Sequence, residues 1–391
     1  PCWKTFGREV RRNIRAIIGG RNLDSELIDL FREKVNNNGV DLILHRYRNN
    51  NGKNQWSIIC SAMDWISVVV VGEIDVRKLS KKNNNDSSIR VMTFIVCIDV
   101  LWEAIQQLHR VLLNTENIPF VNEKSVFQHK KFETTDNKYF KTIRACFATH
   151  PVNLKDDFSG EKKVEQRYAS WSGGGFGKGD FSVILYSNQP DKNPEFLDIY
   201  FSELLRFAEQ RYAYLSNLMD EIDRQTVDYC NEWKNKRIRR VNSVVEQIEI
   251  LIHESKVRLD NDYYNFALEE LRLIYTVEIH SMQNKKLVEK YRIALIEKVN
   301  EIFALLQDMS LKDLTSEEKI NDKCPPDCYY AFSKLSDAVW GKGYSGLVDF
   351  HYLQNSVERI ADLSACNSSQ EVYVVLKAGF FAKNSDLCRQ T

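Results

Sequence analysis

Ser87-Ser-Ile-Arg-Val-Met-Thr-Phe-Ile-Val-Cys-Ile-Asp-Val-Leu-Trp-Glu-Ala-Ile-Gln-Gln-Leu-His-Arg-Val-Leu-Leu113 is the longer of two strongly apolar segments in the chain. Its length and period predict one long buried helix, opened by Asp86 or Ser87. Asp99 interrupts its most apolar part, Met92 to Trp102, so it falls short of the roughly 18 apolar residues that span a bilayer. The other segment, Trp56 to Val71, is also too short, since Ser67 breaks the run from Trp65 to Val71. No membrane association is expected. Within it, Ser67-Val-Val-Val-Val71 is β-branched and admits a strand, whereas its flanks and the neighbouring pattern favour a helix.

Outside these segments the composition is that of an ordinary globular chain. At 391 residues, 43% hydrophobic and 28% charged, it excludes a disordered or collagen-like protein and suffices for two domains. The 54 basic and 54 acidic residues cancel, which argues against a bulk polyanion binder. The charge is unevenly placed, however: residues 1–240 carry a net +6 and residues 241–391 a net −6, which directs any nucleic-acid function to the first part. Nine cysteines, an odd number and widely scattered, do not form a secreted disulfide framework. Pro1-Cys2-Trp3-Lys4 opens no secretory leader, so the expected compartment is a reducing cytoplasm.

The remaining elements read as mainly α. Arg8, Arg11, Arg12 and Arg15 share one helical face, with Phe6, Val10, Ile14 and Ile17 near the other. A helix is expected from Asp24 to Val35, burying Leu27, Ile28, Leu30 and Phe31. Asn-rich loops follow at 36–39, 49–54 and 83–85. Asp136 to His150 reads as a helix that Pro151 ends, because the residue before a proline is pushed out of the α region. Ser172 to Asp180 is glycine-rich and leads into a strand, Phe181 to Tyr186, which can form a small hairpin with Arg167 to Trp171. Pro194 to about Arg240 has apolar positions at helical spacing and reads as one long helix with basic last turns. Further helices are expected at Val244–Leu259, Tyr263–Val277, Lys286–Leu306, His351–Leu363 and Ser369–Phe381. These divide the chain into a helical domain over 1–240, carrying the hairpin as an insertion, and a second α-helical domain over 241–391.

Most familiar chemical motifs fail on this sequence. The glycine-rich stretch lacks the first glycine of a P-loop and has Gly179 where the motif needs Ser or Thr; it fails the dinucleotide pattern as well, since Asp180 follows Gly179 and no helix begins. It is left as a flexible turn or a loop that covers substrate. Cys324-Pro-Pro-Asp-Cys328 has no matching second pair, so two reduced thiols in a turn are expected rather than zinc, and no metal site is assigned. Neither G-x-S-x-G nor H-E-x-x-H occurs.

One segment stands apart: Tyr139-Phe-Lys-Thr-Ile-Arg144-Ala-Cys-Phe-Ala-Thr-His150-Pro151. Arg144 supplies a permanent cation able to hold a phosphate, and His150 an imidazole able to move a proton near neutral pH. The structural alternative has Arg144 paired with a carboxylate and His150 satisfying the last carbonyls of its helix. The segment, with two apolar helices before it and a long one after it, resembles the HEPN superfamily, whose helical bundles carry R-x(4–6)-H near the end of the third core helix. That family usually has a polar residue directly after the Arg; here it is Ala145. The resemblance implies an HEPN-like bundle with metal-independent endoribonuclease activity, of the kind found in defence or toxin systems and under regulation. It implies Arg144 and His150 as catalytic residues, no cofactor, RNA as substrate, and a homodimer in which two motifs meet across a cleft. Arg167, Tyr168 and Trp171, with Lys178 of the glycine-rich stretch, are candidate RNA contacts, because Arg and aromatic side chains stack on unpaired bases; packing of Tyr168 and Trp171 against the bundle is the alternative. A non-catalytic helical module binding RNA or a protein through Arg8–Arg15 and Lys234–Arg240 is the second functional reading.

Overall fold

The computed structural model describes residues 23–36, 42–72, 85–149, 154–155, 166–171, 177–259, 263–310, 322–341 and 350–387. The expected basic helix around Arg8–Arg15, most of the Asn-rich stretches at 36–39 and 83–85, His150, Pro151 and residues 172–176 lie outside them. Two compact units divide the chain, one of Pro1–Asn36 with Arg46–Gln225 and the other of Asn37–His45 with Thr226–Thr391. The division at 225/226 lies ahead of the 240/241 position inferred from charge and pattern.

The first unit is built on the long apolar segment. Helix α1 (Ser25–Asn36) is followed by the short α2 (Leu42–Arg48), whose residues 42–45 belong to the second unit, and by α3 (Trp56–Val71) and α4 (Asn85–Leu113). In α4 the residues Val91, Phe94, Ile95, Ile98, Leu101, Trp102, Ile105, Leu108 and Leu112 recur at helical spacing, and all are buried. Helix α3 packs along it, burying Ile59, Met63, Ile66, Val69 and Val70. The β-branched run therefore forms a helix. Burial is worth roughly 1.5–3 kcal/mol per large aliphatic side chain, more than the few tenths that β-branching costs in a helix. In α1, Ile28, Phe31 and Val35 are the buried set, and Leu30, expected inside, is exposed. Asp24 caps that helix by accepting from the Glu26 backbone N–H at 2.9 Å.

After an irregular stretch over 114–135 comes α5 (Asp136–Arg144), which passes without a break into a π-helical turn, Ala145–Thr149. An antiparallel sheet follows, in the order β1 (Leu154–Lys155), β2 (Gln166–Ser170), β3 (Phe181–Ser187) and β4 (Glu195–Ile199). The hairpin expected from the sequence is the β2–β3 pair. The long helix expected from Pro194 is instead three elements: β4, α6 (Phe201–Ala213) and α7 (Leu215–Asn235). Leu197 and Ile199 are buried while Phe196 is exposed, an alternation of period two over a run too short to separate it from a helical pattern. The edge of β3 offers ladder hydrogen bonds and decides the outcome. The last turn of α7 ends before the expected 240 because side chains take its final carbonyls. Arg258 Nη1 donates to the Trp233 carbonyl at 2.8 Å, and Gln307 Nε2 donates to that of Lys234 at 2.9 Å.

The described end of the glycine-rich stretch is a pinned turn, not a flexible one. Asp180 donates its backbone N–H to the Ile199 carbonyl at 2.9 Å and accepts from the Phe201 N–H at 2.8 Å, which ties the start of β3 to the start of α6. A Cβ on Gly179 would lie 2.6 Å from the Ile199 carbonyl oxygen and 2.9 Å from Asp198 Cβ. Because the nearer obstacle is backbone, Gly179→Ala should cost about 1–3 kcal/mol. A lowered urea midpoint at unchanged slope is the expected result, and an unchanged midpoint would show that the turn is loose.

The second unit contains α8 (Val244–Leu259), α9 (Tyr263–Thr276), α10 (Met282–Gln307), α11 (Tyr329–Val339), α12 (Phe350–Ser356) and α13 (Ser369–Leu387). Helix α12 stops at Ser356, short of the expected 363, and α11 falls where no helix was expected. Val372 to Leu376, Ala378 and Phe380 are buried on all sides of α13, which makes it the central helix of this unit.

Candidate functional site

Arg144 occupies the last position of α5, where the α-helix gives way to the π turn. Such single-turn widenings recur at functional sites, because they re-aim the residues that follow. Its Nη1 meets both carboxylate oxygens of Asp99, at 3.0 and 2.9 Å, and the two side chains are 33% and 24% exposed. Asp99 is the residue that interrupts the apolar run of α4. Its place in the sequence showed only an interruption; the fold makes it the partner of Arg144. The turn itself is anchored by Cys146 and Phe147, both buried. Burial pushes the Cys146 thiol up to about 12, against the opposing charge of Arg167, so this thiol is held protonated at neutral pH.

The sheet separates the candidate RNA contacts. Successive strand residues point to opposite faces, so Arg167, Ala169 and Trp171 follow the face of Phe181, Val183 and Leu185, which is buried. There Arg167 pairs with Glu195 at 3.1 Å, and Trp171 meets Phe147 and Phe181 edge-on, each at a centroid distance of 5.7 Å. Glu195 is held below the usual carboxylate range, chiefly by its hydrogen bond from Lys131 and also by that from Arg167, with burial opposing. Tyr168 lies on the other face, in register with Tyr186, and the neighbouring strand adds Phe196 opposite Ile184. Tyr186 and Phe196 are 41% and 39% exposed. These two were missed in the sequence, although period-two alternation in β3 and β4 is the signal that would have found them. Lys178 is exposed in the turn before β3, with its backbone N–H donated to Asp198 at 3.3 Å.

The basic stretch after α7 is engaged within the second unit. Lys236 pairs with Glu232 and Arg239 with Glu246, each at 2.8 Å, and Arg240 donates to Asn300 at 2.6 Å while lying over the Phe303 ring. Among the described residues no group of three or more His, Cys, Asp or Glu could hold a metal ion. No described helix is long and apolar enough to cross a membrane. Comparison with family models, with characterised proteins and with solved structures returns no match for this chain.

Proposed function

We propose that this chain is a metal-independent endoribonuclease of the HEPN type, in which Arg144 binds and stabilises the scissile phosphate and His150 is the general acid or base. The observation that carries this reading is the placement of Arg144. Its guanidinium is steered by Asp99 of the central helix, at the point where α5 widens into the turn leading towards residue 150. The order of apolar helix pair, motif helix and later helices supports it. In such a reaction one group takes the proton of a ribose 2′-OH, the 2′-oxygen attacks phosphorus, and the 5′-oxygen leaves with a proton. The products end in a 2′,3′-cyclic phosphate and a 5′-hydroxyl. A fixed cation beside the phosphate stabilises the charge that builds up on its oxygens during attack. Asp99 is then a positioning residue, and the sheet face that carries half-buried Tyr168 with exposed Tyr186 and Phe196 offers stacking surface for unpaired bases. The reading carries with it a homodimer with a composite cleft, a regulatory protein partner, a cytoplasmic setting and a defence or toxin role.

The same ion pair suits the alternative, a non-catalytic helical module that binds RNA or protein, in which Arg144 is structural. Incubation of a mixed RNA pool with the purified chain in EDTA separates the two. Cleavage to 2′,3′-cyclic phosphate ends is expected, reduced about 10²–10⁴-fold in His150→Ala and in Arg144→Ala, with the fold retained. Asp99→Asn should lower kcat more than it raises KM, because it misplaces a cation needed chiefly in the transition state. Intact RNA with the wild-type chain, together with binding that weakens as salt rises, would establish the module instead.

A further inference from the structure

We propose that Cys324 and Cys328, in the turn that opens α11, form a reversible dithiol–disulfide pair, a modification site in the second unit. This inference is independent of the ribonuclease reading. The two sulfurs lie 3.3 Å apart, and among the described residues no other two thiols are in contact. A disulfide bond is about 2.05 Å long, so closing it needs an approach of only about 1.2 Å. The turn is built to hold the thiols together. Pro325 and Pro326 each have a ring-fixed φ, both sulfurs donate to the Pro325 carbonyl at 3.4 Å, and the Cys328 backbone N–H donates to the same oxygen at 3.2 Å.

The flanks are anchored as well, so the pair does not have to be collected from a loose loop. Asp322 accepts from the Tyr291 hydroxyl and pairs with Lys377 at 2.8 Å, the Lys323 carbonyl accepts from Asn384 at 3.2 Å, and the Cys328 carbonyl starts α11 by accepting from Phe332 at 2.9 Å. Access differs between the two sulfurs: Cys328 is buried and Cys324 half-buried, which makes Cys324 the thiol that an outside reagent meets first.

The oxidant we name is a small-molecule disulfide such as glutathione disulfide. Cys324, as thiolate, attacks one of its sulfurs, forming a mixed disulfide and releasing one glutathione thiolate. Cys328, as thiolate, then attacks the Cys324 sulfur and expels the second. Two thiols lose two electrons, one disulfide gains them, and the two protons end on the released glutathione. Burial and the neighbouring Cys328 push the Cys324 thiol well up, with the nearby Lys377 charge opposing. Thiolate is therefore scarce, and exchange should be slow at neutral pH and quicken up to about tenfold per pH unit over the neutral to mildly alkaline range.

The test uses the full chain, equilibrated with glutathione disulfide in excess over glutathione, quenched with an alkylating agent and digested with trypsin. Cleavage after Lys323 and Lys334 puts both cysteines in one peptide, Cys324–Lys334. Expected is a peptide lighter by two hydrogens that takes no alkyl group, restored to two alkylatable thiols by dithiothreitol. In Cys328→Ser the same treatment should leave a glutathione adduct on Cys324. Two alkylated thiols in the wild-type peptide at equilibrium, a stable glutathione adduct on wild-type Cys324, or a bond from either residue to another cysteine such as Cys366 would each overturn the proposal.

Discussion

Arg211→Ala should destabilise the first unit by about 3–5 kcal/mol, the loss expected when one member of a buried ion pair is removed and its partner left behind. Arg211 lies on α6 and is wholly buried. Its guanidinium sits 3.7 Å above the Phe207 ring, with Phe120 at 4.9 Å and Trp102 at 5.4 Å. Nη2 donates to Asn137 Oδ1 at 2.9 Å, Nη1 to Gln210 Oε1 at 2.6 Å, and Nη1 lies 3.3 Å from Glu123. Burial lowers its pKa to about 10, against the raising effects of Glu123 and Asp136, so the charge is kept at neutral pH at a desolvation cost.

This side chain joins three segments that are far apart in sequence: the irregular stretch over 114–135 through Glu123, α5 through Asn137, and α4 through the Trp102 ring. Truncation to Ala removes the stacking and takes the cationic partner from Glu123, Asn137 Oδ1 and Gln210 Oε1 at once. In hydrogen-exchange mass spectrometry the protection of α4, α5 and α6 should fall together. Arg211→Met with Glu123→Gln should recover most of the loss, since a packed neutral pair avoids the stranded charge. A loss below about 1 kcal/mol for Arg211→Ala would show that the charge is held without contributing to stability.

The second large effect lies in the other unit. Glu371, in the first turn of α13, is wholly buried and accepts three hydrogen bonds, from the His280 and Asn367 backbone N–H groups at 2.8 Å each and from the His280 ring at 3.0 Å. Its own N–H donates to Ser368 Oγ at 3.1 Å, half of a capping box. Burial, the largest single influence, pushes this carboxyl up, but the hydrogen bonds from Asn367 and His280 together outweigh it, and the group lies below the usual glutamate range.

A carboxylate depressed in the folded state contributes stability above its unfolded pKa, about 4.3, and loses that contribution as pH falls through the folded value. Glu371→Gln should therefore cost about 2–4 kcal/mol at pH 7, since charge-assisted bonds are lost and an amide N–H₂ is turned towards N–H donors. The difference between wild type and variant should shrink as pH falls below about 4.3. Stability curves that stay parallel from pH 6 to pH 3 would remove Glu371 from this role.

What could be read in advance followed from periodicity. Helices α4, α8, α9 and α10 bury faces of period 3.6, enough to identify the element without its surroundings, whereas the β-branched end of α3 needed its flanks and α13 is buried all round. Short elements were not decidable in that way. Glu195-Phe-Leu-Asp-Ile199 satisfies either period over five residues, and only the open edge of β3 makes it a strand. Leu30 fits the apolar stripe of α1, yet the docking of that helix leaves it in solvent.

Composition and pattern by themselves determined that this protein is mainly helical, with a small antiparallel insertion, and that Arg144 stands near a helix end. Which groups meet was decided only by the tertiary structure: Asp99 under Arg144, Trp171 and Arg167 on the inward face of the sheet, Arg211 stacked on Phe207, Cys324 against Cys328. The physical reason is one of range. Periodicity records the free energy of burying a face, which is summed locally along a segment. An ion pair or a ring contact between distant residues depends on how those faces dock, and it leaves no local trace in the chain.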